Sequence, residues 1–169
     1  MSPNSKTITI TDDGVTLPIT SILAGRGFIT GKSGSGKSNT ASVVIEELLS
    51  NRCPLLIIDT DGEYHGLKEK FKEIIHMGQS SESDVELTLD RVDLITDHAL
   101  IQEIPIILDV STFKTDQAKS IINEVVKLLF HKEKEHRKQF LIIIEEIHEF
   151  IPQQGGVDEL AQNIIRIAK

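Results

Sequence analysis

The sequence predicts an α/β protein, a mostly parallel sheet flanked by helices, with a short β-hairpin at its N-terminal end. Three observations carry this. The unbroken apolar runs "PLLIID" (54–59), "IPIILDV" (104–110) and "FLIII" (140–144) read as strands buried on both faces, as in a parallel sheet. Between and around them, apolar residues recur at helical spacing: Ala41, Val44, Ile45 and Leu48, then Ala118, Ile121, Ile122, Val125 and Leu129. Strand and helix signals also alternate along the chain, which indicates a doubly wound parallel α/β sheet.

Taken in order, "TITITDDGVTL" (7–17) alternates apolar and polar residues around an Asp-Asp-Gly turn, and Pro18 closes this hairpin. "GFIT" (27–30) predicts a short strand leading into a glycine-rich stretch. A helix then starts inside that stretch and runs to about Ser50, stopped by Asn51 and Pro54. "FKEIIHMG" predicts a short strand, "QSSESD" (79–84) a loop, and about 91–102 a helix. The long helix after the second apolar run ends in "HKEKEHRK", where Glu133 and Arg137 stand at i,i+4 spacing on a solvated end. "QQGG" makes a loop and a last helix starts near Asp158. The predicted organisation is a hairpin extension over 1–24 and one core over 25–169. Phe71 and Phe130 are expected in that core, with Phe150 closing over the loop behind the last strand.

Composition narrows the function. A net charge of −8 over 169 residues argues against a domain coated with a basic nucleic-acid-binding face, although a few loops could still grip DNA inside an assembly. No apolar run approaches the roughly 20 residues that span a bilayer, and "MSPNSKTITI" lacks the features of a signal peptide. Cys53 is the single cysteine, an apolar filler ahead of a strand, which suits a reducing cytoplasm. The histidines show no metal-ligand spacing.

Residues Gly31-Lys32-Ser33-Gly34-Ser35-Gly36-Lys37-Ser38 match G-x-x-x-x-G-K-[ST] at every fixed position, a match expected by chance in about one chain of this length in a hundred. Glycines let successive N–H groups curl inward toward phosphate oxygens, and the helix N-terminus adds its partial positive charge. Lys37 reaches the β- and γ-phosphates and counts among the catalytic residues, while the Ser38 hydroxyl ligates Mg²⁺. Gly31, Ser33, Gly34, Ser35, Gly36, Lys37, Ser38 and Asn39 are therefore the predicted nucleotide-binding residues. A linker would not be followed at once by a buried helix.

Triphosphate chemistry also needs an acid at a strand end. Asp59, Asp109 and the tandem Glu145–Glu146 all qualify, but only the tandem offers one carboxylate for the Mg²⁺ shell and a neighbour to polarise water. "DTDG" (59–62) also matches the D-x-x-G of GTPases, yet no N-K-x-D follows to read guanine. A metabolite kinase would need an arginine-rich lid, and Arg26, Arg52, Arg91, Arg137 and Arg166 are too scattered for one. His148, three residues after Glu145, either senses a γ-phosphate or packs.

The ordered set "GKSGSGKSNT", "LLIIDTDGEYHGL", "PIILDVSTF" and "FLIIIEEIHEFIP" resembles the successive motifs of the HerA-like ATPases, in the HerA–FtsK group of P-loop DNA motors. The resemblance runs from about residue 25 to the end. It implies a RecA-like core, ATP and Mg²⁺ as cofactors, and a homo-oligomeric, hexameric ring that translocates double-stranded DNA. A nuclease or other effector is the implied partner. It gives Glu145 the metal-side Walker B place and Glu146 the catalytic one, and leaves "DGEY" (61–64) without a catalytic role. Two departures stand out: few residues precede the core where founding members carry a β-barrel, and the arginine-containing stretch and sensor strand expected after the Walker B helix are absent. The pattern Ala161, Ile164, Ile165, Ala168 reaches Lys169 with no stop signal. The expectation is thus an N-terminal part of a longer ATPase, with an ATP-gated regulatory or assembly module of little turnover as the alternative function.

Overall fold

A computed structural model describes residues 6–149 and 159–167. The chain divides into two compact units, Met1–Cys53 and Pro54–Lys169.

In the first unit, β1 (Thr7–Thr9) and β2 (Thr16–Pro18) form the expected antiparallel hairpin, with Ile8 opposite Leu17. The Asp-Asp-Gly turn closes through Gly14 N–H to the Thr11 carbonyl at 3.0 Å. Pro18 ends β2 and caps α1 (Ile19–Ala24), a place where its missing N–H costs nothing. The helix α2 (Lys37–Ser50) buries Ile45, Leu48 and Leu49, and Glu47 Oε2 accepts a 3.4 Å hydrogen bond from Thr9 N–H, tying α2 to β1. Asn51 terminates α2 as predicted, its N–H turning back onto the Glu47 carbonyl.

The predicted strand at 27–30 does not form. These residues belong to neither sheet, and Phe28 is 81% exposed. Strand geometry is held by ladder hydrogen bonds to a neighbour, and this segment pairs with none.

The second unit is built on a parallel sheet of order β5-β4-β6-β3-β7, formed by β3 (Leu55–Asp59), β4 (Ile75–Gly78), β5 (Val85–Glu86), β6 (Ile106–Asp109) and β7 (Leu141–Ile144). Central β3 and β6 are buried throughout, as their unbroken apolar sequences require. By contrast, β7 is only half-buried, against the expectation of burial on both faces, because it sits at the sheet edge beside β3 alone. The two-residue β5 follows the 79–84 loop and was not foreseen.

A short α3 (Leu67–Lys70) leads toward β4. The segment expected as one helix at 91–102 is three pieces: a 3₁₀ turn at Leu89–Arg91, α4 (Val92–Thr96) and a π turn at Asp97–Ile101. Lys132 of α5 (Thr115–His136) joins the last two, its Nζ lying 2.8 Å from Asp93 Oδ1, 2.5 Å from Asp97 Oδ1 and 2.8 Å from Thr96 Oγ1. The five predicted apolar positions of α5 are all buried, with Val126 added. Arg137 lies just past the helix with φ 51°, and its N–H, not its guanidinium, contacts Glu133.

The last helix, α6 (Glu159–Ile167), packs on α5 and is pinned by Asn163 Nδ2 donating to Asn123 Oδ1 at 2.9 Å. It buries Leu160, Ala161 and Ile164, whereas Ile165 is partly exposed. Phe71 is buried as expected, whereas Phe130 is only half-buried. The "QQGG" loop, Phe150 and Ala168 lie outside the described residues.

Candidate active site

The glycine-rich segment of the first unit curls where its sequence demands it. Gly34 and Gly36 have φ +75° and +89°, a left-handed backbone that other residues adopt only with strain, and the space beside each α-carbon is open. Ser35 N–H donates to the Lys32 carbonyl at 3.1 Å, closing the turn, and Gly36 becomes the N-cap of α2. Any side chain at Gly31 would run into the Ser35 hydroxyl.

The Gly36 carbonyl accepts both the N–H of Thr40, at 2.9 Å, and its hydroxyl, at 3.1 Å. The first turn of α2, holding Lys37, Ser38 and Asn39, contains no acid of its own to compete for its free N–H groups. Residues 31–36, Ser38 and Asn39 are exposed and Lys37 is half-exposed. A solvent-facing loop with two left-handed glycines that opens onto a helix N-terminus is fit for phosphate.

In the second unit, the strand-end acids take three different environments. Asp59, fully buried at the end of β3, spends its carboxylate on the loop that follows. Its Oδ1 accepts N–H groups from Asp61 (3.3 Å), Gly62 (2.8 Å) and Glu63 (3.2 Å), and its Oδ2 accepts that of Tyr64 (3.0 Å). An acid committed to four amides is a loop organiser, and the GTPase-like reading of "DTDG" has no carboxylate left to work with.

Asp109, at the end of β6, is likewise buried. Its Oδ2 lies 3.2 Å from His76 Nε2, and its Oδ1 accepts from Ser111 N–H (2.9 Å) and Ser111 Oγ (2.6 Å). On its other side His76 Nδ1 meets the Glu82 carbonyl at 3.0 Å. Because that carbonyl can only accept, Nδ1 carries a proton. The pair braces β4 against β6 and anchors the 79–84 loop.

Glu145 differs from both. It extends β7 by one residue, its N–H donating to the Ile58 carbonyl at 3.2 Å. Oε1 accepts from the Tyr64 hydroxyl at 3.4 Å, and Oε2 is buried with no partner among the described residues. Burial first, then the charges of Asp59, Glu63 and Asp61, push its carboxyl up from 4.5 to about 7, while the Tyr64 hydrogen bond pulls the other way. Burial first, then the charges of Glu145, Asp59 and Glu63, push the Tyr64 hydroxyl up. A buried, unpartnered carboxylate oxygen amid other acids fits a divalent cation, whose charge would offset the repulsion.

Glu146 turns away from the ladder with φ 42°, and its Oε2 lies 2.9 Å from His148 Nδ1. His148 is exposed, so the packing alternative for it is not what the fold adopts. Tyr64 is the residue whose contact the sequence did not disclose. Its motif was visible in "DGEY", but only the fold carries it to Glu145, 81 positions away.

The pH dependence of the metal-free protein follows from Glu145. Unfolded, its carboxyl titrates near 4.5; folded, near about 7. The folded state therefore holds the proton more tightly, and this contribution to stability is present below about 4.5 and lost as pH rises to about 7. Glu145→Gln, which keeps the shape without the charge, is expected to raise the melting temperature at pH 8 and to change it little at pH 4.5. Melting curves at the two pH values check this, and an equal shift at both would remove the electrostatic explanation.

A parallel α/β core, a glycine-curled loop opening a helix, and acids at strand ends together make the architecture of a P-loop nucleoside triphosphatase. More narrowly, residues 9–167 match the family described as Helicase HerA, central domain, and the chain belongs to that family. No curated protein matches the chain. Among the described residues, no helix is long and apolar enough to cross a membrane.

Proposed function

We propose that the chain is an ATP-binding, ATP-hydrolysing motor subunit that acts on double-stranded DNA as part of a homo-oligomeric, hexameric ring in the cytoplasm. The observation that carries this is Glu145: a strand-end carboxylate with one oxygen held by Tyr64 and the other unpartnered, followed at once by a second acid. Family membership supports nucleotide use and ring assembly.

In this reading Gly31, Ser33, Gly34, Ser35, Gly36 and Asn39 shape the phosphate cradle, and Lys37 neutralises the β- and γ-phosphates. Ser38 and Glu145 would hold Mg²⁺, which supplies positive charge on the phosphates. Glu146 orients water and takes up its proton. The net charge of −8 is consistent with DNA held by a few loops rather than a broad face.

The contact between Glu146 and His148 favours a second reading, a nucleotide-gated module with little turnover, because it commits the general base elsewhere. Measuring ATP hydrolysis with and without double-stranded DNA, alongside oligomeric mass, separates the two. DNA-stimulated turnover by a ring supports the motor, and tight ATP binding without turnover supports the module. Lys37→Ala is expected to abolish tight ATP binding in either case, since it removes a charged partner worth about 2 kcal/mol or more. Unchanged affinity by calorimetry would sink the phosphate-loop assignment.

A further inference from the structure

The loop between β3 and the start of α3 has no role in the proposal above, yet its geometry is highly determined. Asp59 gathers the four successive amides of residues 61–64 onto one buried carboxylate. Gly62 supplies the left-handed bend, with φ +76°, that lets the loop fold back over its own strand. The result delivers Tyr64, 3% exposed, with its hydroxyl on Glu145 Oε1. The neighbouring strand β7 is in register with β3, Ile144 opposite Ile58, so both partners of this contact sit at the same end of adjacent strands.

We propose that Tyr64 is a positioning residue for Glu145, and that the Asp59-nested loop 59–64 is the device that holds it there. The phenol occupies one carboxylate oxygen and fixes the rotamer, so that the other oxygen stays unpartnered and available to a divalent cation. Without that hydroxyl, the crowded carboxylate is free to swing away from Asp59, Asp61 and Glu63. This inference rests on the reading of Glu145 as a metal-side acid, and it assigns "DGEY" a task in that site.

The chain has one tyrosine and no tryptophan, so its intrinsic emission reports on Tyr64 alone. A carboxylate accepting from a phenol quenches its emission. Glu145→Ala is therefore expected to brighten the protein, whereas Glu146→Gln leaves the emission as it is. Equal emission from wild type and Glu145→Ala would overturn the contact.

The positioning role is read separately, from the Mg²⁺-dependent rise in melting temperature at saturating ATP. Tyr64→Phe fills the same buried slot, and its midpoint for Mg²⁺ is expected to rise about tenfold, a typical loss when a residue supporting a metal ligand is removed. An unchanged midpoint, or no Mg²⁺-dependent rise in the wild type, overturns the role. If the wild type shows the rise and the variant its shift but neither hydrolyses ATP, the motor reading fails and the positioning of Glu145 stands.

Discussion

Asp109→Ala is expected to lower the stability of the protein by about 3–5 kcal/mol, the usual cost of removing one partner from a buried, hydrogen-bonded pair. The side chains of His76 and Asp109 are 1% and 4% exposed, so no water is at hand to replace the lost carboxylate. The Ser111 amide and the Ser111 hydroxyl lose their acceptor together, and His76 Nε2 loses its buried partner. The Ser111 hydroxyl can rotate to another partner, whereas the amide cannot.

Unfolding in urea, read by circular dichroism, measures the loss. A double replacement of His76 and Asp109 by apolar residues of matching volume should recover only part of it, because it removes the stranded imidazole but leaves the Ser111 amide without its acceptor. A single-variant loss below 1 kcal/mol would mean that water enters this end of the sheet.

Glu146→Gln is expected to leave ATP bound and to slow its hydrolysis by about a hundredfold or more, the typical contribution of a general base. The amide keeps the size and hydrogen-bonding reach of the carboxylate but cannot accept the proton of an attacking water. Glu145→Gln should behave differently, raising the Mg²⁺ requirement. Single-turnover assays over a range of Mg²⁺ concentrations distinguish the two. Turnover stopped by Glu145→Gln but untouched by Glu146→Gln would reverse the roles.

Much of this fold was legible because its strands are local and redundant signals. "LLIID" and "PIILD" can be little other than buried parallel strands, and α5 repeats its apolar spacing over most of its length. "GFIT" looked equally strand-like, but strand formation is decided by a partner, and sequence alone cannot report that no ladder forms. The half-burial of β7 is the same kind of miss: "FLIII" is as apolar as its neighbours, and only the strand order puts it at the edge.

The candidate site divides along similar lines. The proposed phosphate loop is written contiguously, with Gly31, Gly36, Lys37 and Ser38 at fixed offsets, so eight residues carry the whole expectation. The Tyr64–Glu145 contact and the His76–Asp109 brace join positions 81 and 33 residues apart, and no spacing rule links such pairs. Asp59, Asp109 and Glu145 look alike as acids closing apolar runs. What separates them is how many hydrogen-bond donors their loops send back, which is a property of the folded loops rather than of the runs.

The left-handed backbone at Glu146 sets stability against function at a single position. A non-glycine residue there carries about 1–2 kcal/mol of conformational penalty. Glycine would relieve that penalty, and asparagine would bear it more readily, but neither offers a carboxylate. Selection for heat resistance alone would therefore pull position 146 away from glutamate, and, with Glu146 as the general base proposed above, selection for turnover would pull it back. Variants recovered from a purely thermal screen should accordingly accumulate changes at this codon that an activity screen never returns.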